Sequence, residues 1–262
     1  MATYLDRILE GHRAAAAADP RPVGPLVAEA RSMAPARGFE AALRATGVRQ
    51  LAVIAEVKRR SPSKGDLAPD LDPAETAVAY DRGGATCLSV LTDERWFGGS
   101  SADLVAARAA VSLPVLRKDF TVDARDIADA RLMGADAVLL IVAALDDSEL
   151  ADLHAVGLDV GLDVLVEVHD EAELERALAV GATLIGVNQR DLVTFEVDTH
   201  RAVRVAQVMP DDVVRVAESG IRGTEDARVL AAAGFHAVLV GESVVTSGDR
   251  AASVTRLRVR RQ

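Results

Sequence analysis

The sequence predicts an α/β protein, a single (β/α)8 barrel with an N-terminal helical extension. From Leu51 onward, short runs rich in Val, Ile and Leu alternate with longer segments whose apolar residues recur at helical spacing. Eight such runs occur, with starts roughly 20 to 35 residues apart, which leaves room for one helix and two short loops between strands. Runs such as 137–142 are apolar on both faces, as expected of parallel strands covered by helices.

The strands should follow one another at regular intervals along the chain. We predict them at 51–57, 86–91, 114–118, 136–142, 163–168, 183–187, 213–218 and 236–240. Glycines at 84, 134, 181 and 234 end helical patterns just before the even-numbered strands, where glycine suits a left-handed helix C-cap. Eight units in about 210 residues favour a closed barrel over an open doubly wound sheet. The open sheet is the alternative, but the first strand is followed by no Gly-x-Gly-x-x-Gly.

Residues 1–50 precede the barrel and contain two helical patterns, 3–16 and 23–46, around a proline-containing break at 20–25. We expect these helices to pack on the barrel of residues 51–262, so that the chain forms one domain overall. A chain of 262 residues, half of them hydrophobic, is long enough for one core of that size.

Composition and charge restrict the partners. The formal net charge of -10 argues against nucleic acid or an anionic membrane as a partner, since both attract clustered Lys and Arg. Cys87 is the single cysteine, so an internal disulfide is excluded and the reducing cytosol is favoured. The N-terminus lacks a secretory signal pattern, and the apolar stretch 137–145 is too short to span a bilayer. We expect a soluble cytoplasmic protein, a monomer or weak oligomer, that acts on a small molecule.

The active site of such a barrel lies at the C-terminal ends of its strands. Six of the eight predicted ends carry polar or charged residues: Glu56 and Lys58, Lys118, Glu167 and His169, Asn188 and Arg190, Glu218 and Ser219, and Gly241 to Ser243. Strand residues two apart share a face, so Lys118 should face the same mouth as Phe120. Such a group of lysines, glutamates and an arginine suits proton transfer on an anionic substrate. The alternative is that these are solvated charges that mark strand ends.

Loops after three strands suggest anion binding. The Gly/Ser turns at 219–220 and 241–243 follow the seventh and eighth strands, the common phosphate position in these barrels. The basic loop 58–65 is either a cover over an anionic ligand or a flexible solvated turn. Residues 97–101 are interpreted as helix-capping chemistry, with Ser100 or Ser101 as the N-cap.

Metal and cofactor sites have no support in the sequence. The five histidines show no paired ligand spacing, and each falls in a different predicted element. There is no dinucleotide fingerprint and no Gly-x-Ser-x-Gly elbow. We therefore expect neither a metal nor a cofactor.

Motifs at the strand ends resemble those of indole-3-glycerol-phosphate synthases, from about Leu51 to Val245. They are Ile54–Ser63 (IAEVKRRSPS), Leu91–Asp93 with Phe97–Ser100, Pro114–Phe120 (PVLRKDF), Leu165–His169 (LVEVH), Val187–Leu192 (VNQRDL) with Thr194–Phe195, Ala217–Ile221 (AESGI) and Val240–Ser243 (VGES). The resemblance implies a carboxy-lyase that converts 1-(2-carboxyphenylamino)-1-deoxyribulose 5-phosphate to indole-3-glycerol phosphate, with loss of carbon dioxide and water.

The resemblance also implies roles for individual residues. Lys118 would be the general acid of ring closure, Glu167 would handle protons during dehydration, and Lys58 would attract the substrate carboxylate and share the acid role. The supporting residues would be Glu56 and Glu218, which hold the lysines and the substrate; Asn188 and Arg190, at the sugar hydroxyls and the carboxylate; Ser61, in the closing loop; Phe97, Phe120 and Trp96, against the anthranilate ring; and Ser219, Gly220, Gly241, Glu242 and Ser243, at the phosphate.

One expectation concerns the pKa of Lys118, and two other functions remain open. An apolar neighbourhood and the charge of Lys58 should lower the pKa of Lys118 toward neutrality. Lys118 at a barrel strand end also fits a Schiff-base aldolase acting on a sugar phosphate. A non-catalytic phosphosugar-binding barrel is the third interpretation, against which the presence of both Lys118 and Glu167 counts.

Overall fold

A computed structural model describes residues 3–191 and 193–261, in which eight parallel strands close into a barrel. In chain order the strands are β1 (Ala52–Val57), β2 (Cys87–Leu91), β3 (Val115–Lys118), β4 (Ala137–Ile141), β5 (Asp163–Val168), β6 (Leu184–Asn188), β7 (Val214–Glu218) and β8 (Ala237–Val240). A short antiparallel hairpin with two residues in each strand, Arg60–Ser61 and Gly65–Asp66, follows β1. Leu192, part of one sequence motif, lies outside the described residues.

Helices occupy the segments between the strands. They are α1 (Tyr4–Ala18), α2 (Val23–Arg31), α3 (Phe39–Gly47), α4 (Pro73–Arg82), α5 (Glu94–Phe97), α6 (Ser101–Ala110), α7 (Ala124–Leu132), α8 (Asp147–Asp159), α9 (Glu171–Ala179), α10 (Arg201–Ala206), α11 (Thr224–Ala232), α12 (Glu242–Val245) and α13 (Arg250–Leu257). None of the described helices has both the length and the apolar character needed to cross a bilayer.

The barrel closes because β1 pairs in parallel with both β2 and β8. The registers place Ile54 opposite Cys87 on one side and opposite Leu239 on the other. Strand residues are buried on both faces, which explains the continuous apolar runs in the sequence. The predicted barrel and its eight strands are confirmed, and the open-sheet alternative is wrong.

Glycine ends four of the helices as expected. Gly84, Gly134, Gly181 and Gly234 have φ values of 81°, 95°, 78° and 91°, in the left-handed region that a side chain disfavours. Each lies just before the strand that it was predicted to precede. These turns return the chain to the N-terminal rim of the barrel, so that every strand enters from the same side.

The predicted single helix over 23–46 is wrong, because α2 and α3 are separate helices. Pro35 lacks an N–H, and Gly38 has a φ of 71°. Two neighbouring N–H groups instead bind carboxylates beneath the barrel: Arg37 donates to Asp136 at 2.9 Å and Glu40 to Asp163 at 2.8 Å. Contacts with the barrel therefore interrupt the helical pattern.

Asp136 joins three parts of this lower rim. Its carboxylate, fully shielded from solvent, accepts from the backbone N–H of Arg37 and of Val115, both at 2.9 Å, and from Arg108 Nη2 at 3.0 Å. We expect Asp136→Ala to lower the free energy of unfolding by about 3 kcal/mol, because buried donors lose their acceptor. Urea unfolding checks this, with the exposed Asp152→Ala as the control, and equal midpoints for the two variants would contradict it.

Candidate active site

One cavity of about 520 Å³ opens at the C-terminal ends of the strands. Of the residues that the sequence suggested for catalysis, substrate binding and phosphate binding, all but Trp96 line it: Glu56, Lys58, Ser61, Phe97, Lys118, Phe120, Glu167, Asn188, Arg190, Glu218, Ser219, Gly220, Gly241, Glu242 and Ser243. Since neighbouring parallel strands end at the same rim, residues far apart in sequence meet here.

Lys118 lies at the centre of the charged groups, at the end of β3. Its Nζ donates to Glu167 Oε2 at 2.9 Å and is 3.7 Å from Glu218 Oε2, and the side chain is only 15% exposed. Burial alone would lower the pKa of Lys118, but the charges of Glu167, Glu218 and Glu56 outweigh it and raise the pKa above its ordinary value. The expected decrease is therefore wrong, and Lys118 is an ammonium at neutral pH.

Glu167 is the main counter-ion of Lys118. Its carboxylate is 1% exposed and accepts from Asn188 Nδ2 at 3.0 Å as well as from Lys118. Burial opposes its ionisation, but Lys118, His169 and the hydrogen bond from Asn188 together lower the pKa of Glu167 to about 2. Glu167 is thus ionised at neutral pH.

Glu218 has the opposite character, although it is as deeply buried. Burial and the negative charges of Glu167 and Glu56 raise the pKa of Glu218 well above its ordinary value, against the pull of Lys118. Its Oε1 is buried without a hydrogen-bond partner among the described residues and faces Gly186, where a side chain would collide with it. Of the two carboxyl groups beside the Lys118 ammonium, Glu167 is therefore the more readily ionised.

Lys58 forms a second pair, with Glu56. The lysine Nζ donates to Glu56 Oε1, and Gly241 packs against both groups. A Cβ at position 241 would collide with Glu56 Oε1 and come within 3.0 Å of Lys58 Nζ. A side chain at position 241 would therefore displace the Glu56–Lys58 pair, and Lys58 is held at the rim of the cavity by its own counter-ion.

The turns after β7 and β8 meet on one wall of the cavity. Ser219 and Gly220 have φ values of 66° and 73°, an unusual conformation for the serine. Ser243 Oγ donates to the carbonyl of Ile221 at 2.9 Å, and Gln189 Nε2 donates to that of Ser219 at 2.8 Å. These bonds fix both turns, so their backbone faces the cavity in a set position.

The loop after β1 lies over this wall. Residues 61–64 line the cavity, and Lys64 Nζ is 3.2 Å from Glu242 Oε1 on the turn after β8. Ser61 is 9% exposed, and its Oγ has no partner among the described residues. The loop is thus folded over this wall and contacts the turn after the adjacent strand β8.

The aromatic wall differs in part from expectation. Phe97 and Phe120 line the cavity with ring centroids 6.3 Å apart. Trp96 does not line it: its ring packs edge-on against Tyr4 at 4.9 Å. Ser100 is the N-cap of α6, accepting from Asp103 N at 3.2 Å, which confirms the interpretation of residues 97–101.

Helix α1 forms a side of the cavity that the sequence analysis did not predict. Tyr4, Leu5 and Ile8 line it, and the spacing of the two aliphatic residues on one helical face was the available signal. Further along, His12 Nε2 lies 3.0 Å from Asp93 Oδ2 and 3.8 Å from Asp119 Oδ1. These contacts attach the extension to the mouth of the barrel.

The His12 cluster is also a group that could hold a metal ion. Among the described residues, His12, Asp93 and Asp119 each place one ligand atom within 4.8 Å of the others. The carboxylates already accept protein hydrogen bonds, from Trp96 N to Asp93 and from Arg117 Nη2 to Asp119. The cluster joins α1 to the loops after β2 and β3, and its residues are too far apart in sequence for any ligand-spacing rule.

The fold and the cavity together define a (β/α)8-barrel enzyme equipped for proton transfer on an anionic small molecule. The family profile described as indole-3-glycerol phosphate synthase matches residues 5–257. The chain belongs to this family, which confirms the resemblance found in the sequence.

Curated relatives and solved structures agree with this assignment. The indole-3-glycerol phosphate synthases of Mycobacterium ulcerans and Mycolicibacterium vanbaalenii are 53% and 54% identical over 258 residues, 98% of this chain and 94% of each relative. A thiamine phosphate pyrophosphorylase from Pyrococcus furiosus has a TM-score of 0.60 at 17% identity, covering 79% of this chain and 93% of that one. At that identity the structural likeness shows the fold alone.

Proposed function

We propose that this protein closes the indole ring in tryptophan biosynthesis, as a carbon–carbon lyase. It converts 1-(2-carboxyphenylamino)-1-deoxyribulose 5-phosphate to indole-3-glycerol phosphate, carbon dioxide and water. Family membership supports the reaction. The observation that carries the mechanism is Lys118 Nζ, held 2.9 Å from Glu167 and 3.7 Å from Glu218 inside the cavity.

Ring closure begins when the ring carbon that bears the carboxylate attacks the ketone carbon. The ketone oxygen becomes an alkoxide and takes a proton from Lys118. An alkoxide is more basic than an amine, so this transfer is favourable even though the pKa of Lys118 is raised. The raised pKa keeps the donor fully charged, and burial limits competition from water.

Decarboxylation and dehydration follow. The attacked ring carbon is tetrahedral, and the electrons of its bond to the carboxylate restore the aromatic ring as carbon dioxide leaves. The new hydroxyl takes up one proton from solvent and leaves as water, while ionised Glu167 accepts the proton released from the adjacent methylene carbon. Glu167 then passes this proton to Lys118, 2.9 Å away, which restores the acid. Because a carboxylate leaves as neutral carbon dioxide, one proton is taken up per turnover, and the chemistry requires no metal or cofactor.

The remaining residues bind and orient the substrate. Lys58, paired with Glu56, attracts the carboxylate, while Asn188 and Arg190 serve the sugar hydroxyls and the carboxylate. Asn188 also fixes Glu167, and Arg190 Nη1 is oriented by the carbonyl of Phe195 at 3.0 Å. The phenyl rings at 97 and 120 flank the anthranilate ring, and the loop with Ser61 covers the site.

We place the phosphate on the backbone N–H groups of residues 219–220 and 241–243. A substrate analogue without phosphate should therefore bind at least tenfold more weakly, since charge-assisted hydrogen bonds are lost. Competition assays against the phosphorylated substrate measure this. If a crystal structure with bound phosphate showed the ion beside residues 97–101, the placement would be wrong.

A Schiff-base aldolase is disfavoured by the same geometry. Imine formation needs a neutral amine, whereas three carboxyl groups hold Lys118 in its charged form. Borohydride with a keto-sugar phosphate should leave the protein unmodified, and a mass increase at Lys118 would favour the aldolase. A silent phosphosugar-binding barrel would bind the substrate without releasing carbon dioxide.

The direct test is incubation of purified protein with the anilino-ribulose phosphate in the presence of EDTA. We expect one carbon dioxide per indole formed, at an unchanged rate after prolonged chelation. Activity that disappears with EDTA and returns with a divalent ion would contradict the metal-free mechanism.

We also propose that residues 1–50 and 51–262 form one functional unit, because α1 contributes to the wall of the cavity. The unit is a cytoplasmic protein whose partner is the phosphorylated small molecule, and it is a monomer or weak oligomer. Sedimentation at micromolar concentration tests the last point.

A further inference from the structure

His169 lies between Glu167 and a second carboxylate on the next helix. Its Nδ1 is 3.0 Å from Glu173 Oε2, which also accepts the backbone N–H of His169 at 2.8 Å. Its Nε2 is buried without a hydrogen-bond partner among the described residues and is 3.7 Å from Glu167 Oε1. The sequence analysis assigned this histidine no role at the site.

The two carboxylates determine which form of the imidazole fits. Because Glu173 fixes Nδ1 as a donor, a neutral ring would present the lone pair of Nε2 to the lone pairs of Glu167 Oε1. The imidazolium carries a proton on both nitrogens and can donate to both carboxylates. The geometry therefore selects the charged form.

We propose that His169 is a positioning residue for Glu167, acting as an imidazolium that Glu173 orients and that holds Glu167 Oε1 so that Oε2 stays beside Lys118. The proposal rests on the proposed function, in which Glu167 handles the protons of dehydration. It adds a pair, His169 and Glu173, that lies outside the main cavity and borders a second one of about 330 Å³.

Charged groups on all neighbouring elements act on this imidazole. Burial lowers its pKa, but the hydrogen bond that Nδ1 donates to Glu173 and the charge of Glu167 raise it above the ordinary value, against the opposing charge of Arg201 on α10. Asp191 and Arg204 border the same second cavity. His169 thus keeps its charge to higher pH than an ordinary imidazole and loses it as pH rises through its raised pKa.

The test is the pH dependence of kcat, with circular dichroism to verify folding. In the wild type, kcat should fall at alkaline pH to a lower plateau as His169 loses its charge. His169→Gln should remain near that plateau at every pH. At neutrality its kcat should be about tenfold below that of the wild type, which corresponds to the loss of an interaction worth one pKa unit. Glu173→Gln should move the alkaline decrease to lower pH, since it removes the carboxylate that raises the pKa of His169.

Glu175→Gln is the matched control, because Glu175 carries the same charge on the same helix but is exposed. It should leave the profile unchanged. NMR titration of the His169 ring in each protein gives a readout independent of activity. Glu173→Gln should lower the pKa of His169 that this titration measures.

Three results would overturn the proposal. The first is that His169→Gln has the wild-type kcat at every pH. The second is that His169→Gln loses the same fraction of kcat at every pH while the wild-type profile is flat. The third is that Glu173→Gln lowers the pKa of His169 measured by NMR without a matching change in the pH dependence of kcat. A wild-type protein that forms no indole at all would contradict the proposed function instead, while the NMR titration would still report the pairing of His169 with Glu173.

Discussion

Lys118→Met should reduce kcat by roughly 10² to 10⁴, the range expected for loss of a general acid, while phosphate affinity changes little. Methionine keeps most of the volume of the lysine stem and removes the ammonium. Because Glu167 and Glu218 lose their shared counter-ion, some stability is also lost. Steady-state kinetics with thermal unfolding of the same preparation separates the two effects.

Lys118→Arg and Lys58→Met are the matched controls. Arginine retains a cation between the two carboxylates but does not release its proton near neutral pH, so it should preserve the fold and lose turnover. Lys58→Met removes the other ammonium of the cavity and should chiefly weaken substrate binding. If Lys118→Met retained wild-type kcat and Lys58→Met abolished it, the acid of ring closure would be Lys58.

Glu167→Gln should reduce kcat by roughly 10² to 10³, because an amide cannot accept the proton released during dehydration. The amide keeps the size of the side chain and can still accept from Lys118. Glu173→Gln is the matched isosteric control on the neighbouring helix and should have a smaller effect. Equal losses in the two variants would contradict the placement of the base at Glu167.

The barrel was predictable because its signals are local in sequence. Apolar runs such as 137–142 and the glycines before alternate strands follow from burial on both faces and from left-handed helix caps. The break between α2 and α3 was not predictable from helical spacing. It depends on hydrogen bonds from Arg37 and Glu40 to Asp136 and Asp163, roughly 100 residues away.

The sequence predicted which residues line the site better than it predicted their pKa values. Residues at strand ends share one rim, so Glu56, Lys118 and Glu167 could be grouped before their contacts were known. The pKa of Lys118 was predicted to fall because the prediction took account of the charge of Lys58 and of burial. It did not take account of how many carboxylates lie near Lys118. In the folded protein Glu167 and Glu218 lie 2.9 and 3.7 Å from Lys118 Nζ, and the carboxylates reverse the sign of the shift.

Contacts that depend on the folded neighbourhood were missed altogether. The approach of His169 Nε2 to Glu167 depends on how Glu173 turns the ring at the start of α9. The position of α1 along the mouth depends on His12 reaching Asp93, 81 residues away. The separation of His12 and Asp93 follows no sequence pattern, whereas Glu167 and His169, two residues apart at a strand end, have a spacing that places them on one face.

The central claim is that Lys118 closes the ring and Glu167 serves the later dehydration. Single-turnover kinetics of Glu167→Gln, with carbon dioxide and indole fluorescence followed in the same reaction, tests it most directly. The mechanism predicts that carbon dioxide is released well before indole appears, because ring closure and decarboxylation precede the impaired step. Carbon dioxide and indole that appear together at one reduced rate would contradict the assignment of Glu167 to dehydration.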